Sequence, residues 1–203
     1  SGQVVKVENL KESFFRGFKY KVNPRFCFYR PTLQIEISTP LYQLKTAENY
    51  HELIKVFELR YRNFLADTLL GENLDGFDSD EFDSLCDHLV ISCKKTGEIV
   101  GTYRLMTNLM TSKFYSETEF ELSSFLKRPG IKLELGRACV DQGHRHGAVI
   151  DLLWRGLAQY ARLSKAHYLF GCSSVKTVSL LKAFKLKRYF STLEHEEWID
   201  QLR

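Results

Sequence analysis

Glu134-x-x-Arg137 is the pair of residues in this chain whose types and spacing most directly suggest chemistry. A carboxylate can take a proton and a guanidinium can hold an anion. Both sit in a strand-like run, residues 132–140, where positions three apart should point to opposite faces. Gly136 lies between them, and one extra residue in a bulge would turn both to the same face. A turn at residues 141–147 follows. Then comes a helix-like run in which Val149, Leu152, Leu153, Gly156, Leu157 and Tyr160 recur at steps of three and four. Its N-terminus would present unpaired N–H groups and a positive dipole end. A carboxylate, a guanidinium and such a helix start together suit a small polar substrate beside a carbonyl or phosphate. A strand-end ion pair in a plain strand–turn–helix unit is the competing reading.

The elements that must position this pair can be read along the chain. Residues 48–65 predict a helix with Leu53, Phe57, Tyr61 and Phe64 on one face. Arg60 lies on that apolar stripe and therefore needs a carboxylate partner. Residues 70–85 predict a loop. Residues 33–38, 89–94 and 98–106 predict strands, with a hairpin turn at 95–97 and Arg104 near the end of the third. Residues 111–129 read as a connection with a short apolar piece at 120–126. Residues 168–172 predict a last strand, and 175–186 and 194–202 two more helices. The fold class is α+β (α/β), a mixed central sheet flanked by helices. A basic, aromatic extension with the first strand occupies residues 1–40, and one domain occupies 41–203.

Composition narrows the function. The chain has 203 residues, 44% of them hydrophobic, enough for a real core. Its apolar runs are too short to span a bilayer, and no apolar leader is visible, so a cytoplasmic protein is expected. Five cysteines without a CxxC pair predict core thiols rather than disulfides or zinc. Residues 71–90 hold seven carboxylates and no Lys or Arg, whereas residues 141–190 hold nine Lys or Arg and two Asp. The first region should attract a cation and the second an anionic partner. Asp75, Asp78 and Asp80 lack the spacing of a calcium loop, so no metal is expected. Residues 11–31 mix Lys and Arg with Phe and Tyr, which suits either an anionic membrane surface or docking of the aromatics on the core.

Several further motifs come in a definite order: Arg60-x-x-x-Phe64, Asp80-x-x-Asp83, Val100-Gly-Thr-Tyr-Arg104-Leu105, Phe114-Tyr-Ser-x-x-Glu119-Phe120 and Leu133-Glu134-Leu-Gly-Arg137-x-Cys139-Val140. With Cys86-Asp87-His88-Leu89, Leu153-Trp154-Arg155-Gly156 and Phe170-Gly171-Cys172-Ser173, they resemble the acyl-carrier-protein-dependent branch of the GNAT N-acyltransferases. That branch includes acyl-homoserine-lactone synthases, N-acyl amino acid synthases and the ornithine N-acyltransferases of ornithine-lipid synthesis, which the motifs resemble most. The resemblance covers roughly residues 41–175.

It implies transfer of a (3-hydroxy)acyl group from acyl carrier protein to the α-amine of ornithine. An N-acyl amino acid or acyl-homoserine-lactone product with another amine acceptor is the alternative. Glu134 is the expected base. Arg60, Asp80, Asp83, Arg104 and Arg137 are the expected organising network. Phe64, Phe120, Cys139, Val140, Arg145, Gly147 and Ala148 are expected at the acyl and thioester arm, with oxyanion donors near Cys139 and Val140. Ordinary superfamily members grip the coenzyme A pyrophosphate with a glycine-rich turn. Here Ala148 and Ile150 stand at two of its small-residue positions, so a carrier-protein arm is expected, with acyl-coenzyme A possible and no bound cofactor. A peripheral site on the inner membrane face fits the amphiphilic product, and the basic residues 176–188 fit an acidic carrier protein. A nucleic-acid-binding role would leave the carboxylates without a purpose. Cys139 and Trp154 are expected in the core, and His144 and His146 on the surface.

Overall fold

The structure is a computed structural model that describes residues 26, 28–64 and 76–172. Six strands form one sheet in chain order: β1 (Glu36–Ser38), β2 (Tyr42–Thr46), β3 (Asp87–Cys93), β4 (Ile99–Thr107), β5 (Ile131–Val140) and β6 (Ala166–Phe170). Every neighbouring pair is antiparallel except β5 with β6, which is parallel. A parallel neighbour needs a crossover, and α3 (Ala148–Leu163) supplies it. Helix α1 (Tyr50–Phe64) joins β2 to β3, and the four-residue α2 (Ser123–Leu126) lies between β4 and β5.

The helices cover opposite faces of the sheet. On β3, Leu89 and Ile91 pack with Val149, Leu152, Leu153, Leu157 and Tyr160 of α3. Val90, between them, packs with Leu53, Val56, Phe57 and Leu59 of α1. This is the period of two expected for a strand covered on both sides. Gly156 lets α3 come down onto the sheet, because a Cβ there would lie 2.5 Å from Leu44 Cδ1. Phe26 and Tyr29, at the end of the aromatic stretch 11–31, are buried against α1, whereas Phe28 between them is 85% exposed. A third cluster, around Phe82, Met106, Phe114, Phe125 and Phe170, closes the far end of β4.

The first strand is shorter than its alternating pattern suggested, and β2 was not anticipated, although Tyr42, Leu44 and Thr46 alternate into the core. The expected helices at 175–186 and 194–202 lie outside the described residues. Trp154 is not in the core. It is 58% exposed, because it lies beside the buried stripe of α3 rather than on it. Among the described residues no helix is long and apolar enough to cross a membrane.

Candidate active site

A bulge in β5 organises the site. Arg104 stands opposite Gly136 and Thr102 opposite Cys139, so two steps on β4 meet three on β5. The extra residue falls at Arg137, whose φ of 52° is unusual for a side chain with a Cβ. Because of it, Glu134, opposite Met106, and Cys139, opposite Thr102, lie on the same face despite their odd separation. Arg137 joins that face, reaching Asp78 and stacking on Phe64 of α1 at 5.7 Å.

Six charged side chains form a continuous line from Arg137 to Asp80. Arg137 Nη2 donates to Asp78 at 2.7 Å, and Asp78 accepts from Arg60 Nε at 3.1 Å. Arg60 holds Asp83 with both terminal nitrogens, at 2.7 and 3.1 Å. Arg104 Nη1 reaches Asp83 at 3.1 Å and both Asp80 oxygens at 2.7 Å. Arg60 and Asp83 are fully buried, which only so complete a pairing tolerates. Burial works against charge at Asp83, but Arg60, with His88 and Arg104 adding to it, holds its carboxyl well below the usual carboxylate range. Burial likewise opposes the Arg60 charge, and Asp83 outweighs it. Three carboxylates of the acidic region, Asp78, Asp80 and Asp83, are therefore arginine partners. Asp78, set aside with the calcium pattern, is a central member.

Two neighbours of the line went unread in the sequence. His88 is buried against the Phe57 ring, and its Nε2 donates to the Asp83 carbonyl at 2.9 Å. Burial lowers its pKa to about 4, so it is neutral, and among the described residues its Nδ1 has no partner. Asp87 accepts from the Thr32 and Leu33 amides and the Tyr160 hydroxyl, tying the N-terminal segment to α3. The Cys-Asp-His-Leu motif marked both positions without showing what they do.

Glu134 is 4% exposed, and its oxygens accept the backbone N–H groups of Tyr115 (2.9 Å) and Ser116 (2.6 Å). It fastens the 3₁₀ turn Tyr115–Thr118, whose Tyr115 ring covers Arg104 at 5.4 Å. The signal for this contact was general: a carboxylate buried in a strand must find donors outside the ladder. Phe120, half-buried after the turn, belongs to neither the ion-pair line nor the cleft described next.

A cleft of about 390 Å³ opens beside the bulge. Phe64, Tyr103, Ala138, Cys139, Val140 and Arg145 line it with Ile150, Leu153 and Trp154 of α3. β6 pairs with β5 only through Glu134, so among the described residues no strand covers that edge of β5, opposite β4, beyond this point. The Asp141 N–H bonds to Val100 O, so strand alternation turns the polar groups of Val140 to the uncovered edge. There Arg145 Nε donates to Val140 O at 3.1 Å, and its Nη2 reaches Asn63. Cys139 is buried, and burial pushes its thiol up to about 12, which leaves it inert. Gly147, with φ 95°, and Ala148 form the entry to α3, where both are exposed. His144 hydrogen-bonds Tyr42 OH at 2.9 Å and is only half exposed, while His146 is exposed as expected. Among the described residues no group of three or more His, Cys, Asp or Glu could hold a metal ion.

A twisted mixed sheet, a bulged fifth strand beside a cleft, and a crossover helix starting at its mouth define the GNAT fold. Residues 59–155 match the family described as an acetyltransferase (GNAT) domain. The chain is similar to L-ornithine N(alpha)-acyltransferases of three bacteria. It is 38% identical to that of Brucella abortus over 133 residues, 58% of this chain and 47% of the relative. The figures are 34% for Agrobacterium fabrum (65% and 50%) and 33% for Rhodobacter capsulatus (66% and 56%). The chain thus spans about half the length of these relatives. Among solved structures, it superposes on the AHL synthase LasI with a TM-score of 0.48 at 18% identity, covering 76% of this chain and 79% of that one.

Proposed function

We propose that this chain carries the catalytic domain of an N-acyltransferase that moves a (3-hydroxy)fatty acyl group from a carrier-protein thioester to the α-amine of ornithine. The product is a lyso-ornithine lipid. The bulge at Arg137 carries this reading. It sets an uncovered strand edge, with the polar groups of Val140 turned outward, against an apolar cleft and a buried carboxylate–guanidinium line. That is an arrangement for holding a thioester carbonyl beside a small charged acceptor. The similarity to L-ornithine N(alpha)-acyltransferases supports ornithine and its α-amine. Ala148 and Ile150 in the turn support a phosphopantetheine arm over coenzyme A. The basic, aromatic sequence of residues 11–25, ahead of the docked Phe26 and Tyr29, supports a peripheral place on the inner membrane face, where the amphiphilic product would go.

The reaction needs a neutral amine, a polarised carbonyl and an exit for the thiolate. The amine attacks the thioester carbon. The Val140 N–H receives the developing oxyanion, a contribution typically worth about 2.7–4 kcal/mol of barrier. The carbon–sulfur bond then breaks and the thiolate leaves along the cleft. An α-amine titrates near pH 8, so part of it is protonated and must lose its proton. Glu134 accepts that proton through a water, using the oxygen lone pairs that its two backbone bonds leave free.

Mass spectrometry of products tests the reading. The protein is incubated with 3-hydroxyacyl carrier protein or acyl-coenzyme A and with ornithine, lysine, glycine, tyrosine or S-adenosylmethionine. Acyl-ornithine from the carrier-protein donor is the expected outcome. Product on a different amine alone removes the acceptor assignment, and equal rates from coenzyme A remove the donor assignment. In the same assay Glu134→Gln should cut kcat by about 10²–10⁴-fold while leaving the urea midpoint near that of the wild type. A loss of activity that came with an equal loss of stability would leave Glu134 only its hold on the turn.

A further inference from the structure

The ion-pair line has two ends, and only the ends meet solvent. The side chains of Arg60, Asp78, Asp83 and Arg104 are at most 4% exposed, whereas Arg137 is 33% and Asp80 23% exposed. One end is a cation and the other an anion. Three arginines and three aspartates balance, so the line needs no ion from outside, yet it presents a dipole to solvent.

Each end also has bonding capacity to spare. Arg137 gives one Nη2 bond to Asp78, and among the described residues its Nε has no partner. At Asp80, Oδ1 accepts from Phe82 N–H and Arg104, whereas among the described residues Oδ2 accepts only from Arg104. A carboxylate oxygen has room for a further donor. The line folds back on itself, since Arg104 packs against Gly136, next in chain to Arg137, where a Cβ would be 3.6 Å from Arg104 Nε. Arg137 also adjoins the cleft, because Phe64, on which it stacks, and Ala138, which follows it, both line that space.

We infer that Arg137 and Asp80 are the two poles that select the acceptor, Arg137 holding the α-carboxylate of a basic amino acid and Asp80 its side-chain ammonium. The inference rests on the proposed reaction for its substrate. An ornithine ready to react, with its α-amine neutral, carries one negative and one positive group at opposite ends, the complement of this dipole. The assignment also gives regiochemistry. An ammonium held against Asp80 is kept charged and cannot attack, whereas the α-amine between the poles faces the cleft and is left to lose its proton. Arg104, behind Asp80, and Asp78, behind Arg137, hold the two poles in place.

Equilibrium binding by calorimetry, with no acyl donor present, tests this independently of turnover. The ligands are ornithine, norvaline (which lacks the side-chain amine) and ornithine amide (which lacks the carboxylate). Ornithine should bind about ten- to a hundredfold more tightly than either analogue, the range for a hydrogen bond to a charged group. Asp80→Asn, which keeps an oxygen for Arg104, should erase the preference over norvaline and spare that over the amide. Arg137→Gln should do the reverse. Equal binding of all three ligands to the wild-type protein, no binding of ornithine, or variants that leave both preferences unchanged would each overturn the assignment. Failure of the acyl-transfer reading would show differently, as selective binding of ornithine without acyl-ornithine in the product assay.

Discussion

Asp83 shows how much of this domain rests on single side chains. It is fully buried and neutralises parts of both Arg60 and Arg104, so its removal strands two guanidiniums in the core. Breaking a buried pair from one side typically costs about 3–5 kcal/mol. We expect Asp83→Asn to lower the unfolding free energy by that amount, read as a lower urea midpoint at an unchanged slope. His88 next to it sets the response to acid. Its pKa falls to about 4 in the folded chain, against an ordinary value near 6.5. Between those values the unfolded chain binds the proton and the folded chain does not, so stability falls as pH drops through that window and is intact above it. The loss should reach about 3 kcal/mol by the low end. Asp87, pushed up by burial, acts with the opposite sign at the acid end, and the depressed Asp83 adds its own loss below the usual carboxylate range. Comparing wild type with His88→Gln, which can still donate to the Asp83 carbonyl, isolates the histidine. The variant's stability should be nearly flat from pH 6.5 to 4, and a parallel decline in both proteins would show that His88 is not the group responsible.

At the level of elements, α3 packs tightly where it crosses β2. Gly156 there is a fit to Leu44 rather than a break in the helix. Replacing it with alanine gains roughly 1 kcal/mol of helix propensity but drives a methyl into a leucine side chain, an overpacking worth about 1–3 kcal/mol. Gly156→Ala should therefore be net destabilising in thermal melts, and Leu44→Val in the same chain should recover much of the loss. Independent, additive effects of the two changes would refute the contact. Elements of this kind were legible in the sequence when their pattern was long. The helices at 50–64 and 148–163, the strands at 87–93, 99–107 and 131–140, and the bulge beside Gly136 all followed from spacing. The short β2 and the 3₁₀ turn did not, because five residues or fewer carry too little periodicity and are held by distant partners. The site divides in the same way. That Arg60 needed a carboxylate was readable from its apolar stripe. That the partners were Asp78 and Asp83, and that Glu134 would grip the amides of residues 115 and 116, depended on pairings across eighteen or more positions.

On the scale of the whole molecule, charge is laid out by region. Between residues 76 and 87, Asp78 and Asp83 are neutralised internally by arginines and Asp87 is held by two backbone amides and Tyr160, which leaves Asp80 and the exposed Glu81 to face outward. The basic surplus is spent differently. Arg155 and Arg162 of α3, and Lys165 just after its C-cap, are exposed, and the lysine-rich residues 176–188 follow in sequence, outside the described part of the chain. The protein is thus a scaffold with a self-neutralised acidic interior and an excess of positive charge toward its C-terminal third. An acidic carrier protein approaching the cleft mouth at α3 would be drawn by that excess, an effect on encounter that salt screens over about 8–10 Å. The expected signature is selective. Raising ionic strength, or reversing Lys182, Lys185 and Lys187 together to Glu, should raise KM for acyl carrier protein by about tenfold or more while leaving kcat at saturating donor within about twofold. Ornithine affinity, set by the short-range ion pairs at Arg137 and Asp80, should move far less with the lysine reversal. A triple reversal that left carrier-protein KM untouched would dissociate the basic run from donor docking and assign that task to the exposed arginines of α3, whose reversal is the matching experiment.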